Sequence, residues 1–193
     1  LPQELLRDDL LDLFAGTKAL LREDPHQERV KARLAIRSVE AQQVIHRIRM
    51  HGYSKEEKAG IGALLLQLQA LVARVGHLVS YRKNLPQAAE PMLRPRLERL
   101  DSEFHQMLDT FSECFRRGDC RREFPTLHKA VNAMDETVQE IRQSEILHVH
   151  KVTEPLRILD LVGRYHAIAD NLEECSRLIR QLGIERYWGD YAL

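Results

Sequence analysis

The chain has 193 residues, enough for one domain with a buried core and no covalent staples. Lysine plus arginine and aspartate plus glutamate number 29 each, interleaved in sequence, so no net field draws the chain to nucleic acid or anionic lipid. Only 6% of residues are aromatic, with nine glycines and seven prolines, too few strand and turn residues for a β-sandwich or barrel.

From Pro2 to Glu23, Leu6, Leu10, Leu13, Phe14, Leu20 and Leu21 recur at helical spacing, with Gly16 and Thr17 weakening the middle. Asp24-Pro25 reads as a cap followed by proline at the first helical position, opening a second helix to about His51. Its expected buried stripe is Val30, Leu34, Val39, Ile45 and Ile48, and Gly52 follows as a left-handed cap. Ser54-Lys55-Glu56-Glu57 is a capping box that opens a third helix reaching about Lys83. Leu64, Leu65, Leu66, Leu68, Leu71, Val72, Val75, Leu78 and Val79 spread over more than one of its faces, which predicts a central place.

Asn84-Leu85-Pro86 ends the third helix, and Pro91 and Pro95 predict a short turn or kinked start before a fourth, Arg94 to Arg117. Its core face is Leu97, Leu100, Phe104, Met107, Leu108, Phe111 and Phe115, and Gly118-Asp119 stops it. A fifth helix is expected from Pro125 to about Lys151, using Leu127, Val131, Met134, Val138 and Ile141. Thr153 caps a sixth, lined by Leu156, Leu159, Val162, Ile168, Leu172, Leu178, Ile179 and Leu182 before Gly183. The aromatic tail Tyr187-Trp188-Gly189-Asp190-Tyr191 is expected to dock. The fold class is therefore all-α: residues 1–193 form one elongated antiparallel bundle of about six helices with short connections.

Asp8, Asp9 and Asp12 interrupt the first apolar stretch and argue against a signal peptide. The longest charge-free run, Ala59 to Ala73, falls short of the roughly 20 residues a bilayer span needs, so no direct membrane insertion is expected. A chain opening on Leu1 rather than Met reads as a piece of a longer protein, whose membrane parts would lie outside it. Cys114, Cys120 and Cys175 are odd in number and lack metal-like spacing, which fits reduced thiols; Cys114 and Cys120 flank a turn and could meet.

His148 and His150 are two apart, so on a helix their side chains point about 200° apart and cannot share an ion unless that stretch is extended; they read as imidazoles at a helix end. His166, Asp170 and Glu173 share one face of the sixth helix at metal-like spacing. No matching Glu-x-x-His set accompanies them, because Glu103 and His105 are two apart and Asp135 and Glu136 lack a histidine at the required offset. They read as a solvated polar face. Asp160 and Arg164, four apart, read as a surface ion pair, and Arg29, Lys31, Arg33 and Arg37 as a solubilising basic rim interleaved with Glu28 and Glu40. Nucleophile-elbow, phosphate-loop, zinc-protease and C-x-x-C motifs are absent, so the chain reads as a non-enzyme with no catalytic, cofactor or metal residues assigned.

The order of features resembles the cytoplasmic helical domain of the fusaric acid resistance and aromatic acid exporter family of bacterial inner-membrane proteins. The likeness rests on the Asp24-Pro25 break, Arg29-Val30-Lys31-Ala32-Arg33-Leu34-Ala35 and the leucine-rich Ala63–Leu71. Leu97-Glu98-Arg99-Leu100, Phe124-Pro125-Thr126-Leu127 and Ile168-Ala169-Asp170-Asn171-Leu172 complete it. It implies a non-catalytic module at the cytoplasmic face of the inner membrane, serving oligomerisation or regulation of an efflux-type transporter. Its partners would be the transmembrane part of its parent and further copies of itself, with no nucleic acid and no cofactor. Arg164 to Leu172 is also similar to helices of PhoU-type phosphate-uptake regulators, cytosolic bundles that hold metal through acidic stripes, although Glu40-Ala41-Gln42-Gln43-Val44 lacks the paired acids.

Overall fold

The computed structural model describes residues 2–23, 25–48, 54–85, 90–118 and 153–182, together with Asn132, Ala133, Glu136, Gln139, Glu140 and Gln143. The protein is all-helical over these residues. The helices are α1 (Pro2–Leu21), α2 (Gln27–Ile48), α3 (Lys55–Arg82), α4 (Glu90–Arg117) and α5 (Thr153–Leu182). The six described positions between α4 and α5 are helical and fall on the expected fifth helix; its remainder, the aromatic tail, Cys120, His148 and His150 lie outside the described residues.

Helix α1 packs on α2, α3 and α4, while α3 packs on α5, α1 and α2. Contacts fix the directions. Asp9 and Asp12 meet Arg37 and Arg33 in reverse order, so α1 and α2 run antiparallel. Gly60 faces Leu182 at one end of α3 while Arg82 meets Tyr165 at the other, so α3 and α5 also run antiparallel. Phe14 of α1 meets Phe111 and Phe115 of α4, with ring centroids 5.8 and 5.5 Å apart. These rings, with Leu6, Leu10 and Leu13 of α1 and Leu64, Leu68 and Leu71 of α3, belong to one core cluster.

The capping box at Ser54 is formed: Glu57 N–H donates to Ser54 Oγ at 3.1 Å, and Ser54 N–H donates to Glu57 Oε2 at 2.7 Å. Helix α1 runs unbroken through Gly16 and Thr17. The Thr17 hydroxyl donates to the Leu13 carbonyl at 2.7 Å, and Gly16 leaves room for Leu34 of α2. Gly118 ends α4 with φ 67°, the left-handed geometry that favours glycine.

Several expectations need correction. Helix α2 starts at Gln27, not at Pro25: the His26 carbonyl accepts from the Arg29 and Val30 N–H groups. Helix α4 begins at Glu90 and continues through Pro95. Both Pro91 and Pro95 are exposed, and Pro95, having no N–H, forgoes the ladder bond to the Pro91 carbonyl. Val39, Leu66, Leu156 and Leu159 belong to the predicted core faces yet are exposed, whereas Ala41, Val44, Leu93, Ile158 and Leu161 take buried places. A 3.6-residue stripe identifies an apolar face, but neighbouring helices decide which of several such faces is covered.

The expectation drawn from charge-free runs also misses a property of α3, which is long and apolar enough to cross a bilayer by length and composition alone. Tolerating the single charge at Arg74 joins the apolar stretches on either side of it. Here α3 is packed on protein: Ile61, Leu64, Leu65, Leu68, Leu71, Val75, Leu78 and Val79 are buried, and Arg74 and Gln67 bond to α5.

A Cβ on Gly16 would stand 2.3 Å from Leu34 Cδ2 and 2.9 Å from its Cγ, in a place where Leu34 is itself buried. Gly16→Ala should therefore destabilise the fold by about 1–2 kcal/mol despite alanine's helix-propensity gain of about 1 kcal/mol. Urea unfolding of the two proteins measures this.

Candidate functional site

The most organised polar centre lies where α1 ends beside α3, α4 and α5. Arg82, in the last turn of α3, has a side chain only 10% exposed. Its Nη1 donates to Asp101 Oδ2 at 2.5 Å and to the Tyr165 hydroxyl at 3.0 Å. Its Nη2 donates to the Leu21 carbonyl at 2.9 Å and to Glu23 Oε1 at 3.2 Å. The Tyr165 hydroxyl in turn donates to Asp101 Oδ1 at 3.0 Å, which closes a triangle. Glu23 has φ 57°, a left-handed turn that stops α1 and leaves the Leu21 carbonyl open to Arg82. Phe104 packs against the Tyr165 ring with centroids 5.8 Å apart.

Burial works against charge on Arg82, but Tyr165, Asp101 and Glu23 outweigh it and hold the guanidinium above its ordinary range. Burial, then the Asp101 charge, pushes the Tyr165 phenol well above its usual range, so it remains a donor to Asp101 at neutral pH. Asp101 is raised by burial against the opposing pull of Arg82 and Tyr165. A cleft of about 820 Å³ opens over this centre, rimmed by Arg22, Lys83, Arg94 and Glu98. His105 lines it, held below its ordinary value by burial and by Arg22 and Lys18. Fully engaged in this way, Arg82 clamps helices together.

A second polar cluster joins α1 to α2. Arg37 Nε lies 2.8 Å from Asp12 Oδ2, and its Nη1 lies 3.3 Å from Asp9 Oδ1 and 2.8 Å from Glu40 Oε2. Arg33 Nη2 meets Asp12 at 3.0 Å. The expected basic rim is thus in part an interhelical seam, while Lys31 pairs with Glu28 at 3.2 Å. Asp9 is 4% exposed, and burial, reinforced by the Glu40 charge and opposed by Arg37, raises its carboxyl to about 6. A third cluster joins α3 to α5: Arg74 donates to the Ala167 carbonyl at 3.1 Å and to Asn171 Oδ1, and Asn171 Nδ2 donates to Gln67 Oε1 at 2.7 Å.

The remaining sequence candidates scatter. Arg164 and Asp160 do pair, at 3.4 Å. His166 and Glu173 are half-buried and Asp170 exposed, and among the described residues no three histidine, cysteine, aspartate or glutamate side chains converge as metal ligands. Cys114 and Cys175 are buried, and burial pushes the Cys175 thiol up to about 12. Sequence reasoning missed the Arg82 centre because its members lie 19 and 64 positions apart. The available signal was a tyrosine inside the apolar stripe of α5 and an arginine closing an apolar helix.

No family model matches the chain, and neither a curated protein nor a solved structure matches it.

Arg82→Met should cost about 3–5 kcal/mol, because it leaves the Asp101 charge buried without its partner, whereas Tyr165→Phe should cost about 1–2 kcal/mol. Denaturant unfolding of both variants checks the order. Asp9 stays protonated in the fold at pH values where the unfolded chain ionises, so its contribution to stability falls as pH rises from 3.8 to about 6. Asp9→Asn should accordingly gain about 1–3 kcal/mol on wild type between pH 4 and pH 7, read from urea unfolding at both.

Proposed function

We propose that this chain is a non-catalytic helical module that works through its outer faces, by self-association and by coupling to a larger membrane protein. The observation that carries the reading is exposed apolar surface on α2. Ile36 is 59% exposed and Val39 52% exposed, and Ala32 and Gln43 continue their face one turn to either side. Farther along, Gln42, Ile45 and the 64% exposed Leu66 border an open groove of about 760 Å³ between α2 and α3. Neighbouring apolar side chains on a rigid helix suit helix-on-helix association better than chemistry.

The likeness in feature order to the fusaric acid resistance and aromatic acid exporter family supports the larger setting: a six-helix antiparallel bundle at the cytoplasmic face of a bacterial inner membrane. There it would serve oligomerisation or regulation of the transmembrane part of its parent. In this reading the reading frame around the chain encodes hydrophobic spans of roughly 20 residues. A complete frame with none removes the transporter setting and leaves self-association to be judged by itself.

Sedimentation equilibrium of the full chain from low micromolar to submillimolar concentration tests that part. Wild type should associate reversibly, and Ile36→Glu with Val39→Glu should weaken association at least about tenfold, with unchanged melting. A wild-type chain that stays monomeric throughout overturns the reading.

A further inference from the structure

Helix α5 ends at Leu182 against the first turns of α3, where a Cβ on Gly60 would stand 2.8 Å from Leu182 Cδ2. Ala59 precedes Gly60 and Ala63 lies one turn on, and both line the groove of about 760 Å³ between α2 and α3. The groove thus begins beside the place where α5 stops. On α3 its lining runs from Lys55 to Leu66, a length of about 17 Å at helical rise. Small residues make room in it: a Cβ on Gly62 would meet nothing within 4 Å, Ala59 is exposed and Ala63 half-buried. Ile45 of α2 and Leu66 of α3, the latter 64% exposed, add larger apolar surface.

Past Leu182 the sequence carries Tyr187-Trp188-Gly189-Asp190-Tyr191, three aromatic residues within five positions in a chain only 6% aromatic. Each such ring buries about 150–250 Å² when covered, so three of them gain much from an apolar groove within reach. Trp188 is six residues beyond Leu182, and that length spans up to about 20 Å when extended, enough to reach any point of the groove. Charge agrees with the placement. Lys55 and Lys58 line one end of the groove, and the segment's acids, Glu185 and Asp190, outnumber its one base, Arg186. A segment tethered at the rim also meets the groove at an effective concentration in the millimolar range, far above that of a second copy at micromolar protein.

We propose that residues 183–193 dock in the α2–α3 groove of their own chain, with the Trp188 indole over Gly62 against Ile45 and Leu66. Docking closes this groove to a second copy and leaves the Ile36–Val39 face open to one. Neither Ile36 nor Val39 lines the groove, so the docked segment stands or falls apart from self-association.

Trp188 is the chain's only tryptophan, so its fluorescence reports this contact alone. In the full chain its emission should be blue-shifted and shielded from acrylamide, equally at low micromolar and at submillimolar concentration. Leu66→Glu places a charge in the groove from an exposed position, and Gly62→Glu does so from an open one. Each should lower the docked-to-free ratio at least about tenfold, read as a red shift and lost shielding with helical circular dichroism retained. Leu156→Glu, at a 61% exposed leucine near the opposite end of α5, should leave the emission as in wild type, and so should Ile36→Glu with Val39→Glu. A shielded Trp188 in a chain that stays monomeric supports docking while removing self-association. Solvent-like emission in wild type overturns the proposal. So do shielding that survives both groove variants, shielding lost equally in Leu156→Glu, and shielding that appears only as concentration rises, which marks docking on another copy.

Discussion

A guanidinium cannot be buried unless acceptors meet it, and in this protein those acceptors come from three other stretches of chain. Arg82 closes α3, yet its partners are the end of α1, Asp101 of α4 and Tyr165 of α5. Removing a charge from water costs several kcal/mol unless hydrogen bonds replace the solvent, so the four helices must arrive in one mutual register. Leucine packing does not impose this, since apolar contacts are non-directional and tolerate a slide by one helical turn. The left-handed Glu23 is part of the same requirement. By ending α1 where it does, that residue turns the Leu21 carbonyl into an acceptor instead of an unpaired helix end.

The other two polar clusters extend this logic along the helices. Asp9 and Asp12 with Arg33 and Arg37 fix α1 against α2, and Arg74, Gln67 and Asn171 fix α3 against α5. Each antiparallel pair thus carries its own polar lock, and Arg82 joins one pair to the other. The clusters differ in cost. Asn171 and Gln67 are neutral partners, whereas Asp9 is buried among two further carboxylates and one shared arginine, and its raised carboxyl records that shortage.

Helices were legible in the sequence because their signals are local. The Ser54 box, Gly118 and the spacing of leucines each act within a turn or two of the residues they organise. Coverage was not legible. Val39 and Leu66 look like core residues by spacing, and only the positions of neighbouring helices, set partly by Arg82 and Arg37, leave them at the surface. The α2 arginines show the same limit from the polar side. Their spacing describes a rim, but whether it faces water or Asp9 and Asp12 depends on how α1 is laid across α2. Arg82, Asp101 and Tyr165 were beyond reach for that reason too, since no periodicity relates residues on three helices.

The distribution of satisfied and unsatisfied groups then bears on function. A reactive centre needs polar groups that are held in place yet keep capacity for a substrate. At the Arg82 centre the guanidinium, the phenol and the carboxylate are consumed by one another, which gives rigidity and leaves little to offer a reacting molecule. Arg164, by contrast, is held between the Tyr81 ring and Asp160, and its buried Nε has no hydrogen-bond partner among the described residues. The fold thus places its mutually satisfied polar chemistry in the seams between helices.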